Sequence, residues 1–207
     1  MKKIGLILFS GGIDSTYVLA QKLRETDDTI IAHHVHMVNF ENRHKAEAEA
    51  CRAIVDYCQT NYRDFQYSET LVNRSTMKTP GFDVLTVSFE AGIVSSNIMI
   101  QLGRVPDYWT MGLNKEEYEE VSDVSAGRLD HMIAACAAGC FPNKPPEYVR
   151  PVIQPKRELI EYMGPELSQL CWTCRKPVET ENGFAECGKC KTCKLMKQVR
   201  DDIRNKA

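Results

Sequence analysis

Two groups of residues in this chain have the types and spacing to do chemistry, and they lie at opposite ends. Near the amino end, Ser10-Gly11-Gly12-Ile13-Asp14-Ser15-Thr16 follows directly on the apolar run Ile4-Gly5-Leu6-Ile7-Leu8-Phe9. The glycines let the backbone turn tightly and approach a ligand, and Asp14, Ser15 and Thr16 are expected to cap a helix running through Leu23. Free N–H groups at such a helix start, with the positive end of the macrodipole behind them, form a cradle for an anionic phosphate. Near the carboxyl end, Cys187, Cys190 and Cys193 follow Cys171 and Cys174. The x2 spacings let the chain fold back so that neighbouring sulfurs reach one ion, and Gly188 permits the tight knuckle. Four thiolates drawn from these five suit zinc, and an iron–sulfur cluster could use the same set. A four-thiolate zinc is coordinatively closed and therefore structural.

Between these ends lie weaker signals. Asn42-Arg43-His44-Lys45-Ala46-Glu47 sets polar side chains beyond the end of a second strand, read at residues 29–37, and Gly112-Leu113-Asn114 ends another core strand read at 105–112. Ligands of open α/β sheets bind at such strand ends. Ser95, Ser96 and Asn97 fall near the start of a helix read at 91–102, and residues 68–84 read as a polar connection long enough for a substrate loop. His33, His34 and His36 lie on a strand in which only His34 and His36 share a face, with no carboxylate or cysteine at ligand spacing, so they are read as satisfied or substrate-side histidines. Cys136 and Cys140 read as core thiols of a helix at 123–138.

The elements that must position these groups alternate: strand, helix from Asp14, strand, helix at 42–58, strand at 65–67, helix, strand, helix, a last strand at 149–153 and a short helix at 156–163. That alternation predicts a doubly wound parallel sheet with helices on both faces. The organisation is expected to be an α/β domain over residues 1–163 with a small zinc-binding element over 164–207. Of 207 residues, 43% are hydrophobic, enough to bury a full core, and the formal charge of −2 gives no long-range pull toward nucleic acid. With no apolar run near 18 residues and no signal-peptide pattern, the chain reads as cytoplasmic and unattached to a membrane. An odd cysteine count, nine, argues for metal or chemistry rather than a disulfide framework.

No G-x-x-x-x-G-K-S/T spacing occurs. Instead, S-G-G-x-D-S-T resembles the loop of the PP-loop, adenine-nucleotide α-hydrolase enzymes, which grip the pyrophosphate part of ATP. Over essentially its whole length the chain resembles the 7-cyano-7-deazaguanine synthase family. Asn42-Arg43-His44-Lys45-Ala46-Glu47 is similar to that family's G-Q-R-H-x-x-E, Gly112-Leu113-Asn114 to its G-V-N, and Lys156-Arg157-Glu158-Leu159-Ile160 to its K-x-E-I. Trp172-Thr173-Cys174 resembles its W-S-C, which makes Cys174 the first zinc ligand beside Cys187, Cys190 and Cys193. Two segments depart from the pattern: Ser95-Ser96-Asn97 stands where the family has G-R-N, removing a bidentate donor, and Val121-Ser122-Asp123-Val124-Ser125 keeps only the aspartate of Y-P-D-C-R.

The resemblance implies a pair of ATP-driven steps on a deazapurine carboxylate, with ammonia as the second substrate, ATP and magnesium as the energy source and zinc as a staple. Ser10, Gly11, Gly12, Asp14, Ser15 and Thr16 would hold the nucleotide, with Asp14 orienting the loop or binding magnesium. Arg43, His44 and Lys156 would stabilise phosphate charge or handle ammonia's protons, and Asn97, Asn114 and Asp123 would meet the substrate. A homodimer is also implied. Three other readings stand beside this one: a divergent relative that stops at the amide or acts on another carboxylate, a PP-loop enzyme that thiolates or otherwise modifies RNA, and a catalytically dead zinc module that binds a partner.

Overall fold

The computed structural model describes residues 2–79, 82–113, 115 and 127–205. Its core is a five-stranded sheet ordered β3-β2-β1-β4-β5, comprising β1 (Ile4–Leu8), β2 (Thr29–Val38), β3 (Gln66–Asn73), β4 (Tyr108–Met111) and β5 (Glu147–Tyr148). Every neighbouring pair in it is parallel. Parallel neighbours need crossovers, and α1 (Ile13–Glu25), α2 (His44–Asn61), α3 (Asp83–Leu102) and α4 (Arg128–Cys140) supply them. Then follow α5 (Lys156–Leu170), an antiparallel pair of β6 (Val178–Thr180) and β7 (Gly183–Ala185), and α6 (Lys191–Arg204).

The alternation of β1 divides the core. Ile7 and Phe9 face a layer built from α1, α2, α5 and α6, including Leu19, Ile54, Leu159 and Met196. Ile4, Leu6 and Leu8 face the layer of α3 and α4, with Val94, Ile98 and Met132. Helices therefore cover both faces, as the doubly wound reading expects. The chain leaves β1 toward β2 and β3, then returns through α3 to β4 on the other side of β1. The carboxyl ends of β1 and β4 mark the resulting switch point, where diverging loops leave a cleft.

Several boundaries differ from the sequence reading. β3 runs to Asn73 because it pairs in register with the long β2 as far as Val38, which shortens the connection after it to residues 74–82. α3 begins at Asp83 rather than residue 91, since Val84, Leu85 and Val87 pack against the sheet. β5 is only Glu147–Tyr148; Val149 still donates to the Trp109 carbonyl at 2.9 Å, but Pro151 has no N–H with which to extend the ladder. α5 continues to Leu170 across a break at Gly164 (φ 78°). By length and composition alone α3 could cross a membrane, yet it packs Ala91, Val94, Ser95 and Ile98 inward. Residues 116–126, with Asp123, and Asn114 lie outside the described residues.

Candidate functional site

The cradle forms as its residue types require, with one change in how it is held. Gly12, not a side chain, takes the N-cap position of α1, without a side-chain cap. The Ser15 hydroxyl is engaged within the loop instead. It accepts from the Ser10 N–H at 3.2 Å, donates to the Gly12 carbonyl at 3.2 Å and lies 3.0 Å from Ser10 Oγ. Gly11 has φ 70°, and a Cβ there would sit 3.0 Å from Cys51 Sγ and 3.2 Å from the Glu47 carbonyl, so only glycine lets the loop lie against α2. Gly112, after β4, is pressed so closely to the Asp14–Ser15 backbone that any Cβ would collide with it. From the third side, the Trp172 N–H donates to the Gly11 carbonyl at 2.9 Å. Thr16 is fully buried beside Cys171 and does not face the cleft.

Lys156 opens α5 and is 2% exposed, with Nζ 2.9 Å from each carboxylate oxygen of Asp14. A lysine that deep needs a counter-charge, and the first turn of α1 provides it. Because Lys156 engages both Asp14 oxygens, this carboxylate fits a positioning role better than direct ligation of magnesium.

Arg43 is held by carboxylates. It sits at the N-cap of α2, after Asn42 at φ 53°, and binds Glu41 at 2.8 Å, Glu47 at 2.8 Å and Asp83. Arg175 approaches Glu41 to 3.9 Å and Asp83 to 4.0 Å. Three acids balance the Arg43 charge, so this wall of the cleft is rich in acceptors. Burial pushes the Glu47 carboxyl up to about 7, outweighing the pull of Arg43. His44, one residue on, does not line the cleft, and burial lowers its pKa. Asn97 is exposed in the second half of α3, whereas only the first turns of that helix, with Asp83, Val84 and Val87, reach the cleft. Its neighbours serve packing: Ser95 donates to the Ala91 carbonyl at 2.7 Å and Ser96 to the Cys140 carbonyl at 3.1 Å.

The strand histidines are bonded within the protein. His33 lies 2.8 Å from Ser68 Oγ and 3.0 Å from Thr70 Oγ1, and His36 is 2.9 Å from Glu69. His34 donates through Nδ1 to the Phe9 carbonyl at 2.9 Å, leaving Nε2 an acceptor. Burial pushes His33 and His34 down to about 4, so both rings are neutral.

Cys174, Cys187, Cys190 and Cys193 bring their sulfurs within 4.8 Å of one another. Cys174 Sγ accepts N–H groups of Lys176 at 3.3 Å and Cys187 at 3.2 Å, and Cys187 Sγ those of Lys189 at 3.4 Å and Cys190 at 3.3 Å. Such N–H···S bonds favour thiolates, and they draw Cys187 down to about 6. Four converging soft donors fit a tetrahedral metal such as zinc. Cys171 belongs elsewhere, as its thiol points to the Leu167 carbonyl at 3.6 Å in the apolar core and is pushed up to about 12.

One cleft therefore gathers Ser10, Gly12, Asp14, Ser15, Arg43, Gly112 and Lys156. It also includes Glu47, Asp83, Trp172, Arg175 and Thr192, to which sequence reasoning gave no role. Glu47 stands within the Asn42–Glu47 segment and Arg175 beside a metal ligand, but nothing local marks Asp83, which the first turn of α3 brings to the cleft.

A family model described as queuosine biosynthesis protein QueC matches residues 4–92, the segment carrying the cradle, the Arg43 turn and the start of α3. The 7-cyano-7-deazaguanine synthase of Saccharolobus solfataricus is 26% identical over 218 residues, covering 94% of this chain and 44% of that protein. The 7-cyano-7-deazaguanine synthase 2 of Sulfurisphaera tokodaii is 25% identical over 223 residues, covering 96% and 45%. The chain thus spans less than half the length of these curated relatives. Among solved structures, the U34-tRNA thiolase NcsA from Methanococcus maripaludis with its 4Fe–4S cluster shares the fold, with a TM-score of 0.52 and 15% identity over 99% of this chain and 65% of that one. In sequence the chain is thus similar to 7-cyano-7-deazaguanine synthases and, over residues 4–92, to the QueC family model, while the likeness to the thiolase is one of fold.

Proposed function

We propose that this chain uses ATP to activate a carboxylate and condense it with ammonia, converting 7-carboxy-7-deazaguanine to its nitrile. The observation that carries the reading is the meeting, at one sheet switch point, of a phosphate cradle, the Asp14–Lys156 pair and an acceptor-rich wall. The substrate carboxylate oxygen attacks the α-phosphorus of ATP and pyrophosphate leaves. Ammonia then displaces AMP from the acyl carbon, losing a proton, to give the amide. The amide oxygen takes AMP from a further ATP, and departure of that AMP with the remaining N–H protons leaves the nitrile.

Catalysis here is positioning and charge stabilisation. The loop N–H groups and the Ser10 hydroxyl hold the β and γ phosphates, with Ser15 bracing the loop from within, while Lys156, oriented by Asp14, brings positive charge to them. Arg43 fixes Glu47 and Asp83, whose oxygens suit the N–H donors of a guanine-like edge. Glu47, poised near 7, accepts the proton that ammonia releases. Arg175, with a side chain 51% exposed, is placed to meet the substrate carboxylate. Magnesium would accompany the triphosphate, and zinc on the four thiols would cross-link the C-terminal segment.

No cysteine is among the described residues lining the cleft, which favours ligation over thiolation. The implied homodimer would use the outer face of α3 and α4. Phe89, Ile93, Ile100, Leu129 and Ile133 are exposed on these two helices, apolar side chains that an interface would cover. Incubation with ATP, magnesium, ammonium and the deazapurine acid, read by mass spectrometry, tests the reading. Nitrile with AMP supports it, whereas an unchanged acid with no AMP overturns it.

A further inference from the structure

We propose that the C-terminal metal centre and the nucleotide loop form one coupled unit through Trp172, so that metal binding tightens ATP binding and ATP binding tightens metal binding. This rests on the reading that the loop holds ATP. None of the four metal thiols lines the cleft, but the residues around them do: Trp172 and Thr173 before Cys174, Arg175 after it, and Thr192 between Cys190 and Cys193. The metal stands behind a wall of the site and can act only by setting that wall's position.

The connection is covalent and short. Cys174 anchors a segment whose Trp172 N–H donates to the Gly11 carbonyl at 2.9 Å, and whose Trp172 carbonyl would be 3.5 Å from a Cβ on Gly12. The indole Nε1–H closes the segment by donating to the Cys174 carbonyl at 2.8 Å. Gly11, in the left-handed region, directs its own N–H and that of Gly12 relative to this carbonyl, so the bond from Trp172 biases the plane that presents the cradle's donors. Without metal, no shared ion ties Cys174 to the knuckle of Cys187, Cys190 and Cys193, the 172–175 segment loosens, and the loop loses one of the three surfaces bracing it. Trp172 is thus a positioning residue, and the coupling must be reciprocal.

Two measurements on the full chain test this. Calorimetry gives ATP affinity for zinc-loaded and chelator-stripped protein, with far-UV circular dichroism reporting whether the stripped protein keeps its fold. Independently, zinc affinity of the loaded protein is measured by competition with a chromogenic chelator, with and without a non-hydrolysable ATP analogue, which needs no stable apo state. Coupling of about fivefold or more is expected in both, and by the same factor. Trp172→Phe, which keeps the backbone donor but loses the indole bond, should retain zinc and show reduced coupling. Zinc affinity unchanged by the analogue overturns the proposal while leaving ATP binding intact. Failure of the loaded protein to bind ATP overturns both this inference and the function on which it rests.

Discussion

Lys156 Nζ lies 2.9 Å from both carboxylate oxygens of Asp14, a contact spanning 142 positions that ties the first turn of α5 to the first turn of α1. Removing either charge leaves the other poorly solvated beside the phosphate cradle. Lys156→Met and Asp14→Asn are each expected to weaken ATP binding by about tenfold or more. Because they break the same contact, the double variant should be little worse than either single one, which a double-mutant cycle by calorimetry checks.

The close approach of β4 to the loop makes a second prediction. Gly112→Ala must displace the Asp14–Ser15 backbone and should abolish measurable ATP binding. Gly103, at φ 73° with nothing within 4 Å, is the matched control. Gly103→Ala should cost about 1 kcal/mol in denaturant unfolding and leave ATP affinity unchanged.

Acid sensitivity follows from the buried histidines. His33 and His34 have folded values of about 4 against an ordinary 6.5, so their contribution to stability is present above about pH 6.5 and lost as pH falls toward 4. Glu47 acts in the opposite sense, since its folded value of about 7 lies above the ordinary 4.5 and its contribution fades as pH rises through that interval. Between pH 4.5 and 6.5 these three groups should therefore together take up about one proton net on unfolding, which makes the protein more stable at the upper end of that interval. In Glu47→Gln the uptake should approach about two. Melting curves across the interval measure both slopes, and a Glu47→Gln slope equal to that of the wild type would contradict this assignment.

The face of α3 and α4 gives a prediction about assembly. Ile100 is 83% exposed, so Ile100→Glu should not harm the fold. It should convert a dimer to a monomer in light scattering coupled to gel filtration. A wild-type protein that is itself monomeric at micromolar concentration would contradict the homodimer.

What was legible in the sequence was local. Glycine, serine and aspartate at fixed offsets after an apolar strand specify the cradle, and the x2 cysteine spacings specify the knuckle, because each depends only on neighbours along the chain. The choice of Cys174 over Cys171 rested on family resemblance; in the fold it also has a physical reason, since Cys171 belongs to the apolar core and Cys174 to the N–H-rich turn. Long-range pairing was not legible. Nothing in the sequence around Arg43 announces that Glu41, Glu47 and Asp83 converge on it, so a residue expected to meet phosphate proves to be held by carboxylates. The extension of β3 to Asn73 likewise depends on a partner strand, and polar composition alone gave a loop there.

The most direct test of the account is turnover itself. Zinc-loaded protein with ATP, magnesium, ammonium and 7-carboxy-7-deazaguanine should form the nitrile and release AMP and pyrophosphate, with Lys156→Met showing neither. Nitrile formation undiminished in Lys156→Met, or an absence of AMP from the wild type with every component present, would contradict the claim that this cleft activates a carboxylate.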